Sequence, residues 1–155
     1  MDFAQIISEN AVDLACSAAT KDDVLRHMAQ MLLEDHAITS VEDFLQNVYE
    51  REAEGITGIG DGIAIPHGKS DAVIKNCVAV CKLENEVAWQ SIDDKPVTFV
   101  ILFAVMKDAP SAVHLKMMAG VAAALADASV CQGIKSAQTA SELIQAFSCQ
   151  TADAK

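Results

Sequence analysis

Basic residues are scarce in this chain: 11 Lys and Arg stand against 22 Asp and Glu, a formal net charge of −11 at pH 7. That balance excludes nucleic acid as a partner, because a phosphate backbone needs a basic patch to neutralise it. It fits a basic protein partner, whose opposite potential speeds encounter, or simply solubility. Aromatics are also few, 5% of 155 residues, so a core must be built from aliphatics, alanine and methionine. No apolar window reaches the roughly 18–20 residues that span a bilayer, and MDFAQIISEN lacks the basic-then-apolar order of a secretory signal. A soluble, cytoplasmic protein is expected. The five cysteines, Cys16, Cys77, Cys81, Cys131 and Cys149, are odd in number and set in apolar surroundings. They read as reduced, buried thiols. Cys77 and Cys81 have no second pair at zinc-ligand spacing, and no metal site is expected.

What the chain does have is apolar mass. Hydrophobic residues make up 52% and charged residues 21%, enough for a core and too apolar for disorder. The length suits one compact domain, placed at 1–150 with 151–155 (TADAK) as a loose tail. No repeat, low-complexity tract or linker interrupts it. Residues 11–16 predict a short strand. Thr20 is a helix N-cap signal, and Val24, Leu25, Met28, Met31 and Leu32 recur at helical spacing, predicting a helix over 21–34. A second helix follows Ser40, with Phe44, Leu45, Val48 and Tyr49 on its apolar face and Gly55 as its stop. Residues 77–83 predict a strand. The unbroken run VTFVILFAV at 97–105 predicts a central strand covered on both faces. Ser111 is expected to cap a helix over 112–127 that bears Leu115, Met118, Ala122 and Leu125. A shorter helix lies near 129–136, and Thr139 with Glu142 forms a capping box for the last one. Interleaved strands and helices give an α/β fold with a mixed, largely parallel sheet sandwiched between helical layers.

The chemistry concentrates in GITGIGDGIAIPHG, residues 55–68. It reads as a glycine-rich loop around a short strand, Ile63–Ile65. Pro66 fixes its own φ and pushes Ile65 to extended geometry. His67 is then expected at a strand end on rigid backbone, with Gly68 allowing a sharp turn after it. A neutral, oriented imidazole can attack phosphorus through one nitrogen while the other donates a hydrogen bond. The incoming dianion needs donors or cations. Gly58, Gly60, Asp61, Gly62 and Gly68 offer a phosphate nest, although ordinary tight turns explain the same glycines. His114, in the first turn of a helix, can meet an anion there or be a surface or capping histidine. Arg51, near the end of the second helix, can clamp phosphate or be an exposed helix charge. His27 and His36 read as structural or surface residues. Two histidines such as His67 and His114 do not close a zinc site.

The stretch GITGIGDGIAIPHGKSDAV, with Arg51 upstream in YEREAEGITGIG, resembles the active-site segment of the fructose/mannitol-type IIA components of the phosphoenolpyruvate-dependent sugar phosphotransferase system. The nitrogen-regulatory IIA proteins are relatives. The likeness continues through 97–105, HLKMMAGVAAALAD and SELIQAF, spanning nearly the whole chain. It implies that His67 is the phosphorylated histidine, that His114 and Arg51 stabilise the phosphoryl group, and that Asp61 holds a position where related sequences often carry Asn or Glu. It implies transfer from phospho-HPr to His67 and on to a cysteine of a IIB component, with a membrane IIC component involved indirectly. It implies no cofactor, metal or nucleotide. The alternative it leaves open is a regulatory protein whose phosphorylation state controls binding to partners.

Overall fold

A ten-residue strand with almost no polar side chain can only be stable with both faces covered, and that is how Val97–Met106 is used. The computed structural model describes residues 6–153. In chain order the elements are β1 (Ile7–Cys16), α1 (Lys21–Glu34), α2 (Val41–Glu54), β2 (Gly58–Gly60), β3 (Ile63–Ala64), β4 (His67–Ser70), β5 (Cys77–Val87), β6 (Val97–Met106), α3 (Ser111–Ala126), α4 (Ala128–Ser136) and α5 (Ala140–Asp153). The sheet runs β1-β5-β6-β3-β2, with β4 also paired to β6. Three pairings are parallel (β1–β5, β3–β6, β4–β6) and two antiparallel (β5–β6, β2–β3). The sheet is therefore mixed, as expected.

Side chains of β6 alternate between two cores. Val100, Leu102 and Ala104 pack with Leu25, Met28, Leu32, Phe44 and Val48 of α1 and α2. Phe99, Ile101, Phe103 and Val105 pack with Met117 and Val121 of α3, Val130 and Ile134 of α4, and Leu143 and Phe147 of α5. The two helical layers follow from this alternation. Strands β3 and β4 lie end to end along one edge of β6, at Ile63↔Phe99 and His67↔Phe103. Between them Pro66 has no N–H to give the ladder, but its carbonyl accepts from Phe103 N at 3.0 Å.

Several boundaries move. β1 starts at Ile7 and not at residue 11, and β5 continues past residue 83 to Val87. Both extensions carry exposed polar residues, Glu9–Asn10 and Glu84–Glu86, which break the apolar pattern without breaking the backbone pairing. Gly55 ends α2 in extended geometry (φ 166) and not in a left-handed cap. Ser111 is the first residue of α3; Pro110 precedes it as N-cap, without a side-chain cap bond. The face that α3 buries is Met117, Val121 and Ala124, whereas Leu115 is 67% exposed. A helix apolar all round carries no polar stripe by which sequence can orient it. Tyr49 likewise lies out of the core of α2. In the α5 capping motif Thr139 Oγ1 accepts from Glu142 N at 3.1 Å, while Glu142 reaches Gln138 N and not Thr139. Residues 151–153, read as loose tail, are the last turn of α5; 154–155 lie outside the described residues.

Candidate active site

Three elements converge on His67. It opens β4, held in register against Phe103 of β6, so it stands at a strand end as expected, but at the start of β4, with two residues between it and β3 (Ile63–Ala64). α2 lies directly over β4 because residue 68 has no side chain. A Cβ on Gly68 would meet Val48 Cγ2 at 2.7 Å and Phe44 Cε1 at 3.0 Å. The role of Gly68 is thus close approach and not the sharp turn expected of it. That approach brings Arg51, one turn along α2 from Val48, onto the imidazole. α3 contributes His114 from its first turn, with ring centroids 5.0 Å apart and the rings edge-on.

The hydrogen bonds fix the state of His67. Arg51 Nε donates to His67 Nε2 at 2.9 Å. A guanidinium has no acceptor, so Nε2 must carry the lone pair. Nδ1, 3.2 Å from the carbonyl of Ile65, is then the protonated nitrogen. Burial holds the His67 pKa below its ordinary value, and the neighbouring Arg51 and His114 add to this; the Ile65 contact opposes it. His67 is 7% exposed as a residue yet lines a cleft of about 250 Å³ with Asn47, Glu50, Arg51, Glu54, Lys69 and His114. The His114 pKa is also depressed, by burial first and then by Lys69 and Arg51. His114 Nε2 is buried and has no hydrogen-bond partner among the described residues. Arg51 Nη1 is anchored on the carbonyl of Gly55 at 3.3 Å.

Residues 60–62 are elsewhere. They form the turn between β2 and β3, with positive φ at Gly60, Asp61 and Gly62. Gly62 sits beside Thr98, whose backbone N donates to its carbonyl at 2.8 Å, and His67 sits beside Phe103. Five strand residues separate them, roughly 16 Å at 3.3 Å per residue. The N–H groups of Gly60 and Asp61 already serve Ser91 Oγ at 3.2 Å and Asp93 Oδ2 at 3.1 Å. They are not available to a phosphoryl group on His67, so this turn is not a nest for that group. Lys69 escaped the sequence reading. Its signal was the two-residue period of a strand, which puts it on the same side of β4 as His67.

The site holds an oriented neutral imidazole, its Nε2 lone pair covered by Arg51, beside a lysine and a second imidazole. That arrangement can accept and return a phosphoryl group. Comparisons with known proteins give the family and the fold. Residues 5–149 match the family model for the phosphoenolpyruvate-dependent sugar phosphotransferase system, EIIA 2. The chain is 31% identical over 148 residues to the PTS system 2-O-alpha-mannosyl-D-glycerate-specific EIIABC component of Escherichia coli, covering 95% of this chain and 22% of that protein. It is 41% identical over 100 residues to the nitrogen regulatory protein of Escherichia coli, 63% of this chain and 60% of that one. The chain thus spans about a fifth of the first relative and under two thirds of the second. The fold matches nitrogen regulatory protein IIA-Ntr from Neisseria meningitidis with a TM-score of 0.84 at 23% identity, covering 93% of this chain and 97% of that one. It also matches a complex of enzyme IIA mannitol with phosphorylated enzyme IIB mannitol from Escherichia coli, TM-score 0.74 at 25% identity, covering 92% and 96%.

Proposed function

The chain belongs to the EIIA type 2 family of the phosphoenolpyruvate-dependent sugar phosphotransferase system, and on that premise we propose that His67 carries a phosphoryl group from phospho-HPr to a cysteine of a IIB component. The observation that carries the reading is the 2.9 Å contact from Arg51 Nε to His67 Nε2, with Nδ1 held on Ile65 O. It leaves Nε2 as the nucleophilic atom. In the forward step the P–N bond of the donor phosphohistidine breaks as a new bond from phosphorus to His67 Nε2 forms. The Nδ1 proton stays in place, and Ile65 O stabilises the positive charge that develops on the ring. Arg51 moves from the lone pair to a phosphoryl oxygen, Lys69 offers further positive charge, and His114, neutral in this setting, offers Nε2 as a hydrogen-bonding group. Such a step is mostly positioning and charge stabilisation. Glu50 and Glu54 at the cleft suit a cationic docking surface on the donor. The free thiols Cys16, Cys77, Cys81 and Cys131 suit the cytoplasm.

The test is incubation of the protein with phosphoenolpyruvate, enzyme I and HPr, followed by mass spectrometry. One added phosphate mapped to His67, absent in His67→Ala, supports the proposal; label on His67→Ala, or on another residue, removes it. A second reading, a nitrogen-type regulator, is favoured by the 41% identity over 100 residues to nitrogen regulatory protein. Onward transfer to a IIB cysteine separates the two. A regulator instead binds its partner in a phosphorylation-dependent manner without passing the group on.

A further inference from the structure

Away from the phosphoryl site, β1, β5 and α1 bring two thiols and an imidazole together. One donor atom from each of Cys16, Cys81 and His27 lies within 4.8 Å of the other two. We propose that these three side chains form a zinc(II) site, with Asp13 orienting the imidazole.

The local fold builds the cluster. Asp13 is opposite Cys81 and Cys16 opposite Leu83, with an irregularity in β1 between them. In a regular strand, residues three apart face opposite ways. The extra residue turns Cys16 to the side of Asp13 and Cys81, as bulges re-aim side chains. Cys16 and Cys81 are buried, and their sulfurs lie within 4.8 Å of each other. His27 stands at the edge of the buried face of α1, 41% exposed at its side chain, which leaves an entry path. Its Nε2 is 2.8 Å from Asp13 Oδ2. A carboxylate holding one ring nitrogen is the usual support of a zinc-bound histidine, and in the proposed site zinc takes the other nitrogen, Nδ1.

The donor set selects the ion. Two thiolates and an imidazole are soft-to-borderline ligands, suited to zinc and unsuited to calcium or magnesium. Zinc bonds of about 2.3 Å to sulfur and about 2.0 Å to nitrogen place tetrahedral ligands roughly 3.4–3.8 Å apart. The observed spacing needs a contraction of at most about an ångström to reach that range. Binding releases both thiol protons, and two thiolates neutralise the dication, so no net charge is buried. The fourth position falls to water on the His27 side.

The experiment uses the whole 155-residue chain, reduced, titrated with cobalt(II) and then zinc(II). One cobalt per chain, with a thiolate-to-cobalt charge-transfer band and the strong visible bands of a tetrahedral ion, both bleached by zinc, is the expected result. His27→Gln should weaken cobalt binding at least tenfold, Asp13→Asn by about 10–100-fold, and Cys77→Ser should leave it unchanged. Because Cys16→Ser removes a buried thiol, its fold is checked by circular dichroism, and His27→Gln at the open edge tests the site independently. No cobalt binding, binding without the thiolate band, or a band that survives in folded Cys16→Ser or in His27→Gln at full affinity overturns the proposal.

Discussion

At the scale of single residues, His67 shows how burial and a neighbouring cation hold an imidazole neutral. Desolvation disfavours the imidazolium, so the folded pKa lies below the ordinary 6.5. Above 6.5 the ring is neutral folded or unfolded, and its nucleophilic form is fully available. As pH falls below 6.5 the unfolded chain takes up a proton that the folded site resists. The acid limb of phosphoryl acceptance should therefore fall below pH 6.5. A pH profile of single-turnover labelling with a midpoint at or above that value would show that the ring is not so buried in solution. Arg51 contributes to the depression, so Arg51→Ala should move the limb upward. The same substitution should lower the transfer rate by about 2–4 kcal/mol of barrier, in line with loss of one preorganised donor. An unchanged rate would return Arg51 to an exposed helix charge. His114→Ala should slow transfer while leaving His67 able to take up phosphate, read by comparing rate with final stoichiometry.

At the scale of elements, the site depends on α2 lying close over β4. Gly68→Ala would push a methyl group into Val48 and Phe44. We expect a loss of about 1–3 kcal/mol in denaturant unfolding from overpacking, together with slower phosphoryl transfer, because α2 carries Arg51. Stability and rate unchanged together would mean that the two elements are not tightly engaged. α1 ends differently: His36 takes φ 59, a left-handed conformation costly for a residue with a Cβ. Ala37 N bonds back to Leu32 O at 2.9 Å there. His36→Gly should raise stability by about 0.5–1 kcal/mol, the strain relieved less the entropy glycine loses on folding. Thermal unfolding measures it. Elements with marked ends were legible. Thr20 and Ser40 cap α1 and α2 through Asp23 N and Asp43 N at 3.1 and 3.2 Å, as the residue types predict. The buried face of α3 was not legible, because alanines surround that helix.

At the scale of the whole molecule, charge is the dominant feature. A net −11 favours encounter with any cationic partner, and its field is screened over about 8–10 Å at ordinary salt. The second-order rate of phosphoryl transfer from HPr should fall as sodium chloride rises, while the first-order step within a saturated complex should not. A salt-independent second-order rate would assign the acidity to solubility alone. The sheet order is also a property of the whole. Strands β3 and β4 share one edge of β6, which separates the turn at residues 60–62 from His67, although both lie in one stretch of fourteen residues.

By itself the sequence determined the layered α/β fold, the central strand and the capped starts of α1 and α2, and it singled out His67, Arg51 and His114 as candidates. Those follow from periodicity, cap chemistry and the resemblance around IPHG, all of which are local in the chain. Only the tertiary structure decided which donors reach the imidazole. It removed Gly60, Asp61 and Gly62 from the site, changed the role of Gly68 from turn to contact, and added Lys69, Glu50 and Glu54. It also gathered Cys16, His27 and Cys81 from three elements. The physical reason is that spacing along a chain specifies which way a side chain faces its own element. Which groups share a cleft depends on how elements pack, and packing is settled by the whole core at once.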